Sequence, residues 1–173
     1  MTRPTDRPTD PAVDPHAGAT AADIAMMQRA LELAELAAAM GEVPVGAVVY
    51  ETSSGRVLGE GHNLRHTRKD PAAHAEMLAI RAAAEAVGDW RLNHCTLVVT
   101  LEPCAMCAGL IVNARLGRVV YGCPDPKAGA CASLYRLTDD PRLNHRVCPV
   151  AGVLGERCAE ALKAFFRDRR QAD

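Results

Sequence analysis

Aromatic side chains are scarce in this 173-residue chain: one Trp, three Tyr and two Phe make up 3% of it. A protein whose main device is a broad aromatic platform for stacking many bases needs more than that. A paired cysteine framework is also missing. The cysteines number seven (Cys95, Cys104, Cys107, Cys123, Cys131, Cys148 and Cys158). An odd count, in a chain long enough to bury a core without covalent staples, argues against a disulfide scaffold and for a reducing compartment. No apolar run approaches the roughly 18 residues of a membrane-spanning helix, and the first residues hold no apolar signal core. A soluble, cytoplasmic protein with no membrane partner is therefore expected. Net charge is nearly absent as well, at −1.

That small sum conceals an asymmetry. Residues 1–103 hold 9 Lys and Arg against 14 Asp and Glu, whereas residues 104–173 hold 11 against 7. A surface that meets nucleic acid is thus expected mainly in the second half. The rest of the composition, 49% hydrophobic and 24% charged, is that of one ordinary globular domain. Residues 1–19, with Pro4, Pro8, Pro11 and Pro15 among Thr, Asp and Arg, read as a disordered extension, because such a segment buries too little to offset its ordering entropy. Residues 20–171 are left for the folded domain.

Periodicity places the elements. Ile24, Met27, Leu31, Ala34 and Ala38 recur at helical spacing, and Thr20 with Asp23 forms a capping pattern, predicting a helix over 21–40. The β-branched run 45–50, the turn Thr52-Ser53-Ser54-Gly55 and the return 56–61 predict a hairpin. A polar loop, 62–71, precedes a second helix over 72–86, dense in helix formers and followed by Gly88. Residues 96–101 (TLVVTL) read as a fully buried strand, 104–114 as a third helix, 118–121 as a strand, 123–149 as irregular, and 154–170 as a last helix. Strand, helix and strand in succession make a parallel crossover. The expected fold class is α/β: a three-layer α/β/α sandwich whose central sheet is mixed, a hairpin joined to parallel strands.

Three residues carry metal-binding chemistry. Cys104-Ala105-Met106-Cys107 sets two thiols one helical turn apart at a helix start, where the helix dipole favours thiolate. His74 lies at the start of the preceding helix. One histidine and two cysteines leave a fourth position of a tetrahedral zinc ion open, which is the catalytic pattern. Glu76, two residues beyond His74, does not share its helical face and is free to point past the metal to a water and a substrate. Other readings stand beside this one. A lone CxxC also serves redox chemistry, and a structural zinc site would recruit a fourth ligand such as Cys123, Cys131 or Cys148.

His74-Ala75-Glu76 followed by Pro103-Cys104-Ala105-Met106-Cys107 is the H-x-E…P-C-x-x-C signature of zinc nucleobase deaminases. Further stretches narrow it: Glu42-Val43-Pro44-Val45-Gly46-Ala47-Val48, Asp70-Pro71-Ala72-Ala73, Thr100-Leu101-Glu102, Ala108-Gly109, Gly117-Arg118-Val119-Val120-Tyr121-Gly122, Asn144-His145-Arg146-Val147 and Phe165-Phe166-Arg167. Together they resemble the bacterial tRNA-specific adenosine deaminases, over about residues 23–171. The resemblance implies a cytidine deaminase-like fold and hydrolysis of a wobble adenosine to inosine by zinc-activated water. One Zn2+ per subunit would be held by His74, Cys104 and Cys107, with Glu76 moving the protons. It implies that Asn63 hydrogen-bonds the purine, that Asp125 and Lys127 touch the backbone and sugar of the anticodon loop, and that Asn144, with His145 and Arg146 after it, lies near bound nucleotides. It further implies a homodimer and a tRNA anticodon stem-loop as partner, usually that of an arginine isoacceptor.

The last helix adds Phe166, Arg167 and Arg170, readable either as anticodon-stem contacts or as a packed Phe pair beside a solvated face. Pro124 and Pro126 depart from the commoner pattern around Asp125 and are expected to stiffen that loop. The alternatives are a guanine or cytosine deaminase of the same superfamily acting on small molecules, and a zinc module that binds RNA without catalysis.

Overall fold

The structure, a computed structural model, describes residues 18–172. Most of the extension expected over 1–19 lies outside the described residues. Its last two residues belong to the fold: Ala19 packs on the core, and Arg118 donates to the Gly18 carbonyl at 2.5 Å.

Thr20 opens α1 (Ala21–Ala39) with the anticipated capping box: Asp23 N–H donates to the Thr20 hydroxyl at 3.1 Å, and Thr20 N–H donates to the Asp23 carboxylate at 2.7 Å. Asp23 is fully buried and also accepts from Tyr50 and Arg118, each at 2.7 Å. Burial pushes its pKa up, but the Arg118, Thr20 and Tyr50 donors outweigh that and hold it below the usual carboxylate range.

The sheet has five strands in the order β2-β1-β3-β4-β5. β1 (Gly46–Glu51) pairs antiparallel with β2 (Val57–His62) and with β3 (Cys95–Leu101). β4 (Arg118–Cys123) runs parallel to β3, and β5 (Val150–Ala151) runs parallel to β4. Alternation along the strands splits the core in two. Ala47, Val49, Leu97, Val99 and Val119 face α3 (Ala75–Val87) and α4 (Ala105–Asn113). Val48, Tyr50, Val98 and Val120 face α1 and α5 (Gly155–Ala172). Helices thus cover both faces of a mixed sheet, the expected α/β/α sandwich. The central place of β3 explains why it is buried on both faces, its two threonines included. Gly46 lets α1 lie close, since a Cβ there would run into the Ala30 carbonyl.

Three boundaries differ in a way that matters. α3 starts at Ala75, not 72, because Asp70 accepts from Ala72 N–H at 2.8 Å and holds the next residues in a turn; His74 is then the extended N-cap. α4 likewise starts at Ala105, with Cys104 as its extended N-cap. The loop expected over 62–71 contains a short helix, α2 (Arg65–Arg68). The irregular segment holds a 3-10 turn, Leu137–Asp139, and its end reaches the two-residue β5. Among the described residues, no helix is long and apolar enough to cross a membrane.

Candidate active site

The two metal-competent helix starts meet at the carboxyl end of β3. His74 Nδ1 lies 3.8 Å from Cys104 Sγ and 3.7 Å from Cys107 Sγ, and the ligand atoms of the three residues all fall within 4.8 Å of one another. A tetrahedral zinc with bonds of about 2.0 Å to nitrogen and about 2.3 Å to sulfur requires ligand separations close to these. The donor set, one imidazole and two thiols, also suits zinc. Among the described residues Cys123, Cys131 and Cys148 take no part in the cluster, so a tetrahedral ion held by these three would keep one position open.

Electrostatics at this corner favour a bound cation. Cys107 and His74 beside it draw Cys104 down to about 3, against the opposing effect of burial. The paired thiol Cys107 is pushed up by the Cys104 thiolate, by burial and by Glu76. His74 is raised chiefly by its contact with Cys104. Glu76, on the first turn of α3 and only 4% exposed, is raised by desolvation. A carboxyl held nearer to neutrality is suited to both taking and giving a proton.

Glu76, His74 and Cys104 line a cavity of about 220 Å³, walled by Val43, Val45 and Leu101 and bordered by Asn63. Asn63 is 8% exposed, and its Nδ2 donates to the buried Glu42 carboxylate at 3.3 Å and to the Val43 carbonyl at 3.4 Å. Asp125 stands at the border of this cavity and of a second, open one of about 680 Å³, lined also by Lys127, Lys163, Phe166 and Arg170. A half-open, largely apolar slot carrying a few polar groups thus adjoins, across Val43, Leu101 and Asp125, a groove with three cations and an aromatic.

Not every expected residue converges here. Asn144 accepts from Arg115 at 2.7 Å, His145 Nε2 sits 2.7 Å from the Leu116 carbonyl, and Arg146 borders other clefts. Arg167 is exposed and lies near Glu160 and Asp168. Phe165 and Phe166 pack edge to face at 5.4 Å, and Phe166 is 43% exposed, so the pair is not a buried plug. The residues not singled out beforehand are Glu42, Arg65, Glu102 and Lys163. The signal for Glu102 was a charged residue placed directly after a fully apolar strand.

The comparisons agree with the geometry. The model of the MafB19-like deaminase family matches residues 21–170. The tRNA-specific adenosine deaminase of Haemophilus influenzae is 46% identical over 149 residues, covering 86% of each chain. The chain belongs to the tRNA-specific adenosine deaminase family. The relative in Bacillus subtilis is 47% identical over 145 residues, 84% of this chain and 89% of that one. A solved structure from studies of A-to-I editing by tRNA:A34 deaminases at the wobble position superposes with a TM-score of 0.76 at 41% identity, covering 80% of this chain and 99% of that one. The deaminase fold thus carries its His, Cys and Cys cluster at the carboxyl end of β3, in a mixed sheet whose layers are those anticipated.

Proposed function

We propose that this protein hydrolyses adenosine to inosine at the wobble position of a tRNA anticodon, with one zinc ion held by His74, Cys104 and Cys107. The observation that carries this reading is the joining of two sites: a half-open slot with Glu76 and Asn63 shares Val43, Leu101 and Asp125 with a groove bearing Lys127, Lys163, Phe166 and Arg170. A free base needs only the slot; an extruded nucleotide with its backbone needs both. Zinc held there by His74, Cys104 and Cys107 would supply Lewis acidity, bringing the pKa of water toward about 7.

The chain's own residues do the remainder. Asn63, braced by Glu42, orients the purine. Glu76 takes a proton from the water as its oxygen adds to C6 and passes that proton to N1. It then takes the second proton from the new C6 hydroxyl and passes it to the amino group, which leaves as ammonia as the C6–N bond breaks and the inosine carbonyl forms. Val43, Val45 and Leu101 exclude bulk solvent, which strengthens each of these polar contacts. Asp125, Lys127 and Arg170 engage the flanking sugar and phosphates, with Phe166 against a neighbouring base. Asn144, His145, Arg146 and Arg167 lie further out and are assigned to the periphery of the stem-loop.

The deciding assay incubates the zinc-loaded protein with an arginine anticodon stem-loop bearing a wobble adenosine, and separately with free guanine and cytosine. Inosine is expected in the RNA alone. Ammonia released from a free base, with none from the RNA, selects the small-molecule reading instead.

A homodimer in the cytoplasm completes the proposal. Met106 on α4 is 39% exposed, and the nearby apolar residues Leu134 and Tyr135 are 52% and 61% exposed. Solvent-facing groups of this kind, beside the zinc helix, support burial against a second copy. Sedimentation at micromolar concentration is expected to give a dimer; a monomer throughout removes this part of the proposal.

A further inference from the structure

Glu102 is 1% exposed, and among the described residues its carboxylate is met by backbone amides and one hydroxyl, with no ion pair to a lysine or arginine. One loop supplies its partners. Oε1 accepts from the backbone N–H groups of Cys131 at 3.1 Å, Ala132 at 2.8 Å and Ser133 at 2.9 Å. Oε2 accepts from Asp125 N–H at 3.0 Å and from the Ser133 hydroxyl. A buried carboxylate left without donors is costly, and charge-assisted hydrogen bonds are roughly twice as strong as neutral ones. The main chain beside Glu102 grips the same loop: Ala130 N–H donates to the Pro103 carbonyl at 2.8 Å, and Cys104 bridges to Gly129. Gly129 is the only residue type that fits there, since a Cβ would run into the Glu102 carboxyl carbon.

The loop so held has no strand or helix of its own between β4 and the turn Leu137–Asp139, and its first residues, Asp125 to Ala128, reach the slot and the groove. Asp125 borders both the slot and the groove, and Lys127 borders the groove. We propose that Glu102 is a positioning residue for nucleic-acid substrate: by collecting five donors from residues 125–133, it sets Asp125 and Lys127 in the conformation that receives the nucleotides flanking the reacting base. The inference rests on the proposed action on an anticodon stem-loop. It adds that substrate affinity is governed by a side chain that never touches the RNA.

The test is steady-state kinetics on the stem-loop with wild type, Glu102→Gln and Ser133→Ala, alongside zinc content and thermal unfolding. A glutamine keeps one oxygen for the three amides of Cys131, Ala132 and Ser133. It turns an NH2 toward Asp125 N–H, which is left without an acceptor, while the Ser133 hydroxyl reverses and accepts from that NH2; the Asp125 end of the loop is released. With the Asp125 bond lost and two N–H donors opposed, KM is expected to rise about tenfold and kcat to stay within about threefold, with zinc retained. Ser133→Ala removes one bond and is expected to raise KM about threefold. A fall in kcat at unchanged KM, or loss of zinc from a folded Glu102→Gln protein, overturns the proposal, because either assigns Glu102 to the metal corner. If Glu102→Gln does not fold, Ser133→Ala decides, and an unchanged KM overturns it. A wild type that makes no inosine sinks the functional reading itself, an outcome distinct from all of these.

Discussion

Glu76→Ala is expected to lower inosine formation by about a thousandfold or more, while the purified protein keeps its full complement of zinc. The size follows from the contribution of a positioned proton carrier, on the order of 10²–10⁴, to which loss of the hydrogen bond to the base adds. Retention of metal follows from placement. The cluster of ligand atoms consists of His74, Cys104 and Cys107, and Glu76 faces the cavity beside it. Fold is retained because the site lies at the end of β3, outside the two apolar clusters that join the sheet to its helices. Glu76→Gln is the sharper companion: it keeps the volume and a hydrogen-bonding group but carries no proton, and is expected to be as inactive as Ala. The measurement pairs inosine analysis with metal analysis on the same sample. Loss of zinc with either variant would make Glu76 a ligand and refute the proton-carrier role.

Cys107→Ala has the second large effect, by a different route. Cys107 is fully buried within the first turn of α4, and its Sγ faces His74 Nδ1 at 3.7 Å. Its removal leaves one imidazole and one thiol, too few to hold zinc in competition with buffer and water. The variant is expected to be purified without stoichiometric metal and to form inosine at less than about a thousandth of the wild-type rate, in line with loss of metal-assisted hydrolysis. Stripping the wild type with a chelator should abolish activity, and added zinc should restore it; added zinc should leave Cys107→Ala inactive. Because a ligand that binds only the folded state stabilises it, wild type should melt higher with zinc than without, and the variant should show no such difference. Full activity in the metal-free wild type would remove zinc from the mechanism.

The elements that were legible in the sequence are those whose cause is local. The capping box at Thr20 and Asp23, the apolar periodicity of α1, the turn between β1 and β2 and the unbroken run of β3 each follow from neighbouring residues, and each has its counterpart in the structure. The metal cluster was legible for a different reason: the chemistry demands particular atoms, and His-x-Glu with Pro-Cys-x-x-Cys is rare enough to stand out. Harder to read were residues whose work depends on what folds against them. Nothing near Glu42 announces that its carboxylate will brace Asn63, twenty-one positions away, and α2 is one turn long, below the length at which periodicity speaks. β5 has two residues and exists because β4 offers an edge to it.

The sequence by itself determined the fold class, the His, Cys and Cys group that could hold a metal, and the concentration of positive charge in the second half, since all three depend on composition and short-range spacing. Tertiary structure decided where the two helix starts meet, which cationic and aromatic residues share a groove with the slot, and that Asn144, His145 and Arg146 stand apart from it. It also decided that His74 and Cys104 are N-caps, outside the first helical turns, and that one buried carboxylate, Glu102, holds the substrate-side loop. The reason is distance along the chain. A backbone N–H at residue 131 and a carboxylate at 102 become partners only once β3 and β4 lie side by side, and that pairing is a property of the assembled sheet.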